Sequence, residues 1–323
     1  MGQSRALIAG ITGQDGSYLA DLLLAKNYKV YGLTRNISCH FSRNIQHLEG
    51  KIELIYCPYT EFSIMEAIQT VRPQEVYNFS AQSYVGKSWN LIPETVQNTG
   101  VVPTFFLEAI LKIDKSIKFF QASSGEIFSP SSGEILTERS LIEPSSPYGC
   151  SKAFAHQMVT MFRKYHGVHF LNGILFNHES PRRNDDFLSK KITRAAVAIK
   201  LGNQRKLVLG NLHAARDWGY APDYMDAVYR MMQLRTPSDL IVSTGKLHTV
   251  EDMVRIVFDS LDLNWKQYIN TDSTLMRPFE NPTIFGSHEK LTSLTGWKPS
   301  ASFEEMLRIM VDEEMKLQQR GTA

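Results

Sequence analysis

Short apolar runs alternate with amphipathic stretches through the first half of the chain. Residues 7–9, 30–33, 52–56, 76–79 and 118–122 read as strands, and 17–25, 63–70, 96–111 and 148–165 read as helices. Near-continuous apolar strands separated by helices predict a parallel sheet covered on both faces, with right-handed crossovers. Residues 171–175 and 239–243 predict further strands. Past about residue 173 the pattern loosens. Residues 177–184 read as a polar loop containing Pro181, 187–201 as a helix with Lys and Arg on one face, and 206–209 as a strand. Residues 250–261 and 303–319 read as amphipathic helices, the second running into a frayed tail.

The stretch Gly10-Ile11-Thr12-Gly13-Gln14-Asp15-Gly16 lies between the first strand and the first helix. Glycines three apart at such a turn let the backbone approach a pyrophosphate, and the helix start then holds the anion. The fold expected is α/β: a Rossmann-type doubly wound parallel sheet with a smaller C-terminal α/β substrate-binding lobe. Residues 1–172 and 211–244 would form the dinucleotide-binding unit, and 173–210 and 245–323 the lobe. The cleft between them would lie beyond the carboxyl ends of the strands, where open α/β sheets bind ligands.

Composition narrows the setting. Lys plus Arg number 35 and Asp plus Glu 33, a balance that argues against broad nucleic-acid or membrane-surface binding. No apolar run approaches the roughly 18 residues of a membrane span, and no signal peptide is expected. The three cysteines, Cys39, Cys57 and Cys150, form no C-x-x-C pair and fit a reducing cytoplasm. His178-Glu179 lacks a second His at ligand spacing, so no metal site is expected.

Tyr148 and Lys152 stand four apart at the start of a helix, on one face. A nearby ammonium favours phenolate, which takes a proton from an alcohol as hydride leaves. A coincidental pair on a solvated face is the competing reading. Upstream, Ser124 and Glu126 follow an apolar strand, a hydroxyl and a carboxylate beside the cleft; the plainer reading of that segment is a turn. The glycine turn, Ser124 and Tyr-x-x-x-Lys in one order make coincidence a poor account. Asn177, Lys190, Lys191, Arg216 and Arg277 offer donors for an anionic substrate such as a nucleoside diphosphate. For the two lysines the alternative is a solvated helix face, and for Arg216 an ion pair with Asp217.

These residues resemble the extended short-chain dehydrogenase/reductase family and, within it, the GDP-mannose 4,6-dehydratases. The resemblance spans nearly the whole chain. It is carried by residues 10–18 (GITGQDGSY), 146–152 (SPYGCSK), 173–183 (GILFNHESPRR), 216–219 (RDWG) and 296–299 (GWKP). It implies that Tyr148 removes the C4 hydroxyl proton while hydride passes to nicotinamide, and that Lys152 lowers the tyrosine pKa and holds the cofactor ribose. It implies further that Ser124 fills the place of a catalytic threonine and that Glu126 takes the C5 proton and helps water leave C6. Hydride then returns to C6, giving a GDP-4-keto-6-deoxy sugar. Gly10, Thr12, Gly13, Gln14, Asp15, Gly16, Arg35, Ser80, Ala81 and Ser83 carry over as cofactor positions, with NADP favoured through Arg35 and NAD the alternative; Arg43 keeps a further basic position. Asn177, Lys191, Arg216, Arg277 and Glu280 match nucleotide-sugar positions.

The resemblance also implies a homodimer, with tetramers in some members, and a GDP-linked hexose or heptose as substrate. The chain departs from the family pattern at several points. Asn36 stands where a second Arg is usual, and Pro58 replaces an acidic residue near the adenine. Gly125 replaces a Ser, and His213 and Ala215 replace an acid and a base. The rival functions are a 4-dehydrogenase, 4-reductase or epimerase of the same family, which needs no elimination acid, and a catalytically silent nucleotide-sugar binding protein.

Overall fold

The computed structural model describes residues 2–35, 42–128, 134–275 and 283–321. Its strands are β1 (Arg5–Ala9), β2 (Lys29–Thr34), β3 (Glu53–Tyr56), β4 (Glu75–Asn78), β5 (Lys118–Ser124), β6 (Phe170–Leu175), β7 (Asn177–Glu179), β8 (Leu207–Leu209), β9 (Ala215–Arg216), β10 (Trp218–Tyr220), β11 (Leu240–Val242), β12 (His248–Thr249), β13 (Ile269–Thr271) and β14 (Thr283–Ile284). Its helices are α1 (Gln14–Ala25), α2 (Glu61–Val71), α3 (Ile92–Thr95), α4 (Val102–Ile113), α5 (Pro147–His166), α6 (Leu188–Lys200), α7 (Ala221–Met232), α8 (Val250–Asp259), α9 (Glu289–Thr295) and α10 (Phe303–Gly321).

Seven parallel strands form the main sheet in the order β11-β6-β5-β4-β1-β2-β3. The chain reverses direction across the sheet between β1 and β4, and in such sheets ligands sit at that switch point. Alternation along β1 sends Ala6 and Ile8 to one face and Leu7 and Ala9 to the other. The first pair packs with Leu19 and Leu23 of α1 and Tyr224 and Val228 of α7. The second packs with Ile68 of α2, Phe106 and Ile110 of α4 and Val159 of α5. A separate core is built from α6, α8 and α10, around Ile192, Val254 and Met306.

Three features depart from the sequence pattern. Residues 177–179 form β7, parallel to β10, rather than loop. The helix expected over 96–111 is interrupted: Val96–Val101 forms a wider π-helical turn between α3 and α4. Pro103 offers no N–H there, so a regular turn cannot close across it. The expected basic face of α6 is split. Lys190 is buried and paired with Glu314 of α10 at 2.6 Å, while Lys191 stays exposed.

Candidate active site

Three cavities share walls and run in series across the carboxyl ends of the strands. The first is a groove of about 470 Å³ above the glycine turn. Gly10 has a left-handed backbone, φ +81°, and a Cβ there would approach the Phe79–Ser80 backbone to 3.0 Å. A Cβ on Gly16 would fall 2.4 Å from the Gly10 carbonyl. Only bare glycines let α1 begin this close to β1 and β4. The ten positions expected at the glycine turn and at the ends of β2 and β4, from Gly10 to Ser83, all line this groove. The cradle a Cβ would fill, open N–H groups at a helix start and Arg35 at the end of β2 suit a nicotinamide dinucleotide. The π-helical turn adds Asn98 to the wall, and Arg183 and Tyr59 complete it.

The second cavity brings Ser124, Glu126, Tyr148 and Lys152 together. Ser124 ends β5 and Glu126 sits in the 3-10 turn Gly125–Ile127. Ser146 caps α5, accepting the Gly149 N–H at 3.0 Å. A Cβ on Gly149 would come 2.4 Å from the Glu126 carbonyl, so glycine lets the first turn of α5 press against the Glu126 turn. Burial holds the Tyr148 phenol well above its ordinary range, and a hydrogen bond from Ser124 offsets only part of that rise. The Ser124 Oγ also accepts the Glu126 N–H at 3.2 Å. Lys152 is buried, donates to the Ala122 carbonyl at 2.6 Å, and is brought down to about 8 by burial. Its Nζ lies 5.7 Å from the Tyr148 ring centroid. In the protein alone, Ser124 is the group that most favours phenolate.

Asp15 and Arg183 line both of these cavities. His178 of β7 places Nε2 2.9 Å from Asp15 Oδ1 and Nδ1 2.7 Å from the Phe176 carbonyl, with its ring stacked 4.6 Å from Tyr224. Burial pulls the imidazole down, but the Asp15 carboxylate overcomes it and raises the pKa. Burial alone would raise Asp15; the His178 charge and hydrogen bond, with Arg183 and Gln14, bring it to about 2. Arg183 Cζ stacks 3.6 Å from the Phe187 ring centroid, and its Nε lies 3.1 Å from Glu179 without hydrogen-bond alignment.

The third cavity, between α6 and β9, shares Glu126 and Asn177 with the second. Lys191 and Arg216 line it, with Trp218 and Leu275. Lys191 donates to the Val208 carbonyl at 2.9 Å, and Arg216 to that of Ala215 at 2.8 Å. The neighbouring Asp217 faces away from this cavity, accepting from Thr244 and Gly245, and burial raises it to about 6. Lys190 is neither a substrate donor nor a solvated residue: its ammonium is spent on Glu314 and the Pro181 carbonyl. Arg43 is exposed, absent from the walls of the groove, and its charge acts on Glu314. Arg277, Glu280 and Asn36 lie outside the described residues.

The sequence pattern does not mark Tyr59, His178 or Arg183 as site residues, yet they line these cavities. The signals that could mark them are a strand-end position after β3 for Tyr59 and the segment 173–183 for the other two. What each faces depends on residues far away in sequence.

A family model described as GDP-mannose 4,6 dehydratase matches residues 7–310. The chain is 40% identical over 328 residues to GDP-mannose 4,6 dehydratase 2 of Arabidopsis thaliana, covering 98% of this chain and 88% of that protein. Among solved structures it resembles a UDP-glucose 4-epimerase of Thermotoga maritima with UDP-glucose, with a TM-score of 0.86 at 19% identity, covering 97% and 99% of the two chains. It also resembles a dTDP-glucose 4,6-dehydratase of Bacillus anthracis in complex with NAD, with a TM-score of 0.85 at 20% identity, covering 98% of each chain.

Proposed function

The chain belongs to the GDP-mannose 4,6-dehydratase family, and from that footing we infer a hydro-lyase acting on a GDP-linked mannose-type sugar, hexose or heptose. The product is the corresponding GDP-4-keto-6-deoxy sugar. The single observation that carries this reading is the convergence of Ser124, Glu126, Tyr148 and Lys152 on one cavity, with Glu126 on the wall shared with the cavity beyond.

When bound in the groove, a nicotinamide dinucleotide supplies a reversible hydride acceptor. The side chains supply the proton transfers. Tyr148, its phenolate favoured by Ser124, takes the C4 hydroxyl proton as C4 becomes a ketone. That ketone acidifies the C5–H bond, so elimination follows oxidation. Glu126 takes the C5 proton and delivers a proton to the departing C6 hydroxyl. The proton that Tyr148 took from the C4 hydroxyl is returned to C5, while a dinucleotide held in the groove would give back at C6 the hydride it took from C4. One water leaves and the cofactor ends as it began. Lys152, buried beside Tyr148, holds the cofactor ribose in this reading.

NADP is the preferred form because Arg35 directly follows β2, where the 2′ group falls in such folds, with NAD the alternative. Asn177, Lys191 and Arg216 are assigned to the nucleotide sugar, with Arg277 and Glu280 by resemblance. The division into a cofactor unit (1–172 and 211–244) and a sugar lobe (173–210 and 245–323) belongs to the same proposal, as do a homodimer and a cytoplasmic setting. Among the described residues no helix is long and apolar enough to cross a membrane.

Incubation with GDP-mannose and GDP-manno-heptose, followed by mass measurement, tests the reaction. Loss of one water without net cofactor consumption is expected; unchanged mass for every GDP-sugar overturns it. Glu126→Gln separates dehydration from simple 4-oxidation or epimerisation. It is expected to keep C4 oxidation and to lose water release by at least about 100-fold.

A further inference from the structure

We propose that Tyr59 is a positioning residue that sets the preference for a 2′-phosphorylated dinucleotide by aiming Arg35. The proposal rests on the nicotinamide-cofactor reading above. Tyr59 follows β3 in the segment Cys57-Pro58-Tyr59, where Pro58 offers no side-chain acceptor to an adenine. Its backbone is left-handed, φ +59°, a conformation strained for any bulky side chain. The surroundings hold it there. Thr60 and Ser63 form the capping box that starts α2 immediately afterwards, and the Tyr59 ring packs 6.5 Å from Phe106.

This strained backbone puts the phenol on the floor of the cofactor groove. The Tyr59 hydroxyl accepts the Gly10 N–H at 3.1 Å and points its own proton at the Leu33 carbonyl, 3.4 Å away. The second contact is long, so the bond from Gly10 is the stronger. One hydroxyl thus bridges the first glycine of the phosphate turn and the end of β2. Burial keeps the phenol protonated through the whole working pH range.

Two residues past Leu33, the Arg35 guanidinium lies 5.9 Å from the Tyr59 ring centroid, within cation–π reach. Arg35 is otherwise exposed, and a long exposed side chain loses rotamer freedom when it grips a phosphate. A ring face that already restrains the guanidinium above the groove reduces that loss. The hydroxyl and the ring therefore have separable effects. The hydroxyl steadies the turn that meets the pyrophosphate of either dinucleotide, whereas the ring favours only the one carrying a 2′-phosphate.

The test is fluorescence titration of the full chain with NADPH and with NADH, giving both dissociation constants. Tyr59→Phe is expected to weaken both cofactors alike, by about 3–10-fold, leaving their ratio unchanged. Tyr59→Met leaves an unbranched apolar side chain in place of the ring and the hydroxyl, and should lower the NADPH preference about 2–5-fold, towards that of Arg35→Ala. In an Arg35→Ala background, Tyr59→Met should leave the ratio where it stands. Tyr59→Leu repeats the measurement should the Met variant fold poorly, with circular dichroism as the check. A ring-less variant that is folded and keeps the wild-type ratio overturns the proposal, as does an equal fall without Arg35. Wild-type protein that binds both cofactors equally also overturns it, and leaves the nicotinamide reading standing. Wild-type protein that binds neither overturns that reading itself.

Discussion

His178 faces acceptors on both sides: its Nε2 lies 2.9 Å from Asp15 and its Nδ1 lies 2.7 Å from the Phe176 carbonyl. Neither acceptor carries a proton, so both contacts are hydrogen bonds only when the ring is a doubly protonated imidazolium. The wall between the cofactor groove and the catalytic cavity thus contains an ion pair, with Arg183 as a second cation beside it.

A pH dependence with a definite sign comes from this pair. The folded-state pKa of His178 is raised above 6.5, so its stabilising contribution is complete below about pH 6.5 and is lost as pH rises through the folded value. Asp15 is lowered from 3.8 to about 2, so its contribution, about 2 kcal/mol, is present above about pH 4 and lost as pH falls towards 2. The pair is intact between those limits. NMR titration of the His178 ring should give a midpoint above 6.5, and in Asp15→Asn a midpoint below it, since burial and Arg183 then face only the Phe176 carbonyl bond, the smallest of the opposing effects. A wild-type midpoint at or below 6.5 would remove the ion pair from the account.

Ser124 makes a different kind of contribution, through the Tyr148 phenol. Removing its hydroxyl leaves burial to raise that phenol further, so the alkaline rise of kcat should move to higher pH. Ser124→Ala is expected to lower kcat about 10–100-fold near neutrality with little change in substrate affinity, and Ser124→Thr should restore most of it. An Ala variant with the wild-type pH profile would assign the activation of Tyr148 to another group.

The Lys190–Glu314 pair tests what holds α10 on α6. Both side chains are nearly inaccessible, so breaking the pair strands a charge in the interior. Lys190→Met should cost about 3–5 kcal/mol in urea unfolding, whereas Lys190→Met with Glu314→Leu should recover most of that loss. A single variant within about 1 kcal/mol of wild type would show that water reaches the site.

One face of α5 carries the exposed apolar residues Phe154, Met161 and Tyr165, spaced at whole turns, and Ile92 and Val96 add to the exposed apolar surface on α3 and the π-helical turn. A homodimer covering this surface is the expected state. Light scattering at micromolar concentration should give twice the chain mass, and Tyr165→Lys with Met161→Glu should halve it. A monomer mass for the wild type would leave the patch without a partner.

The elements that could be read in advance were those whose pattern is local. β1, β4, β5 and β6 are buried on both faces, so each carries a short apolar stretch interrupted only by a few polar residues such as Gln121 and Asn172, and the glycine turn announces itself by spacing. α7 does not stand out in the sequence, although Tyr224, Met225, Val228 and Met231 form its buried stripe, because it begins abruptly at Ala221-Pro222 after two-residue and three-residue strands. Those short strands have no signature of their own; β9 exists because β12 and β14 flank it. Within the site, residue types at strand ends and on α5 were legible. The partner of each was not: Asp15 meets His178 across 163 positions, and Lys190 meets Glu314 across 124.

That second separation bears on how the chain matures during synthesis. Lys190 leaves the ribosome 124 residues ahead of the carboxylate that neutralises it. At about 5–20 residues per second, the wait is roughly 6–25 seconds. Until then α6 has no α10 to lie against, and the ammonium must remain hydrated. The half of the cleft that α6 walls is therefore finished late, after the parallel sheet has had time to form, and a nascent chain gains that wall only once α10 arrives.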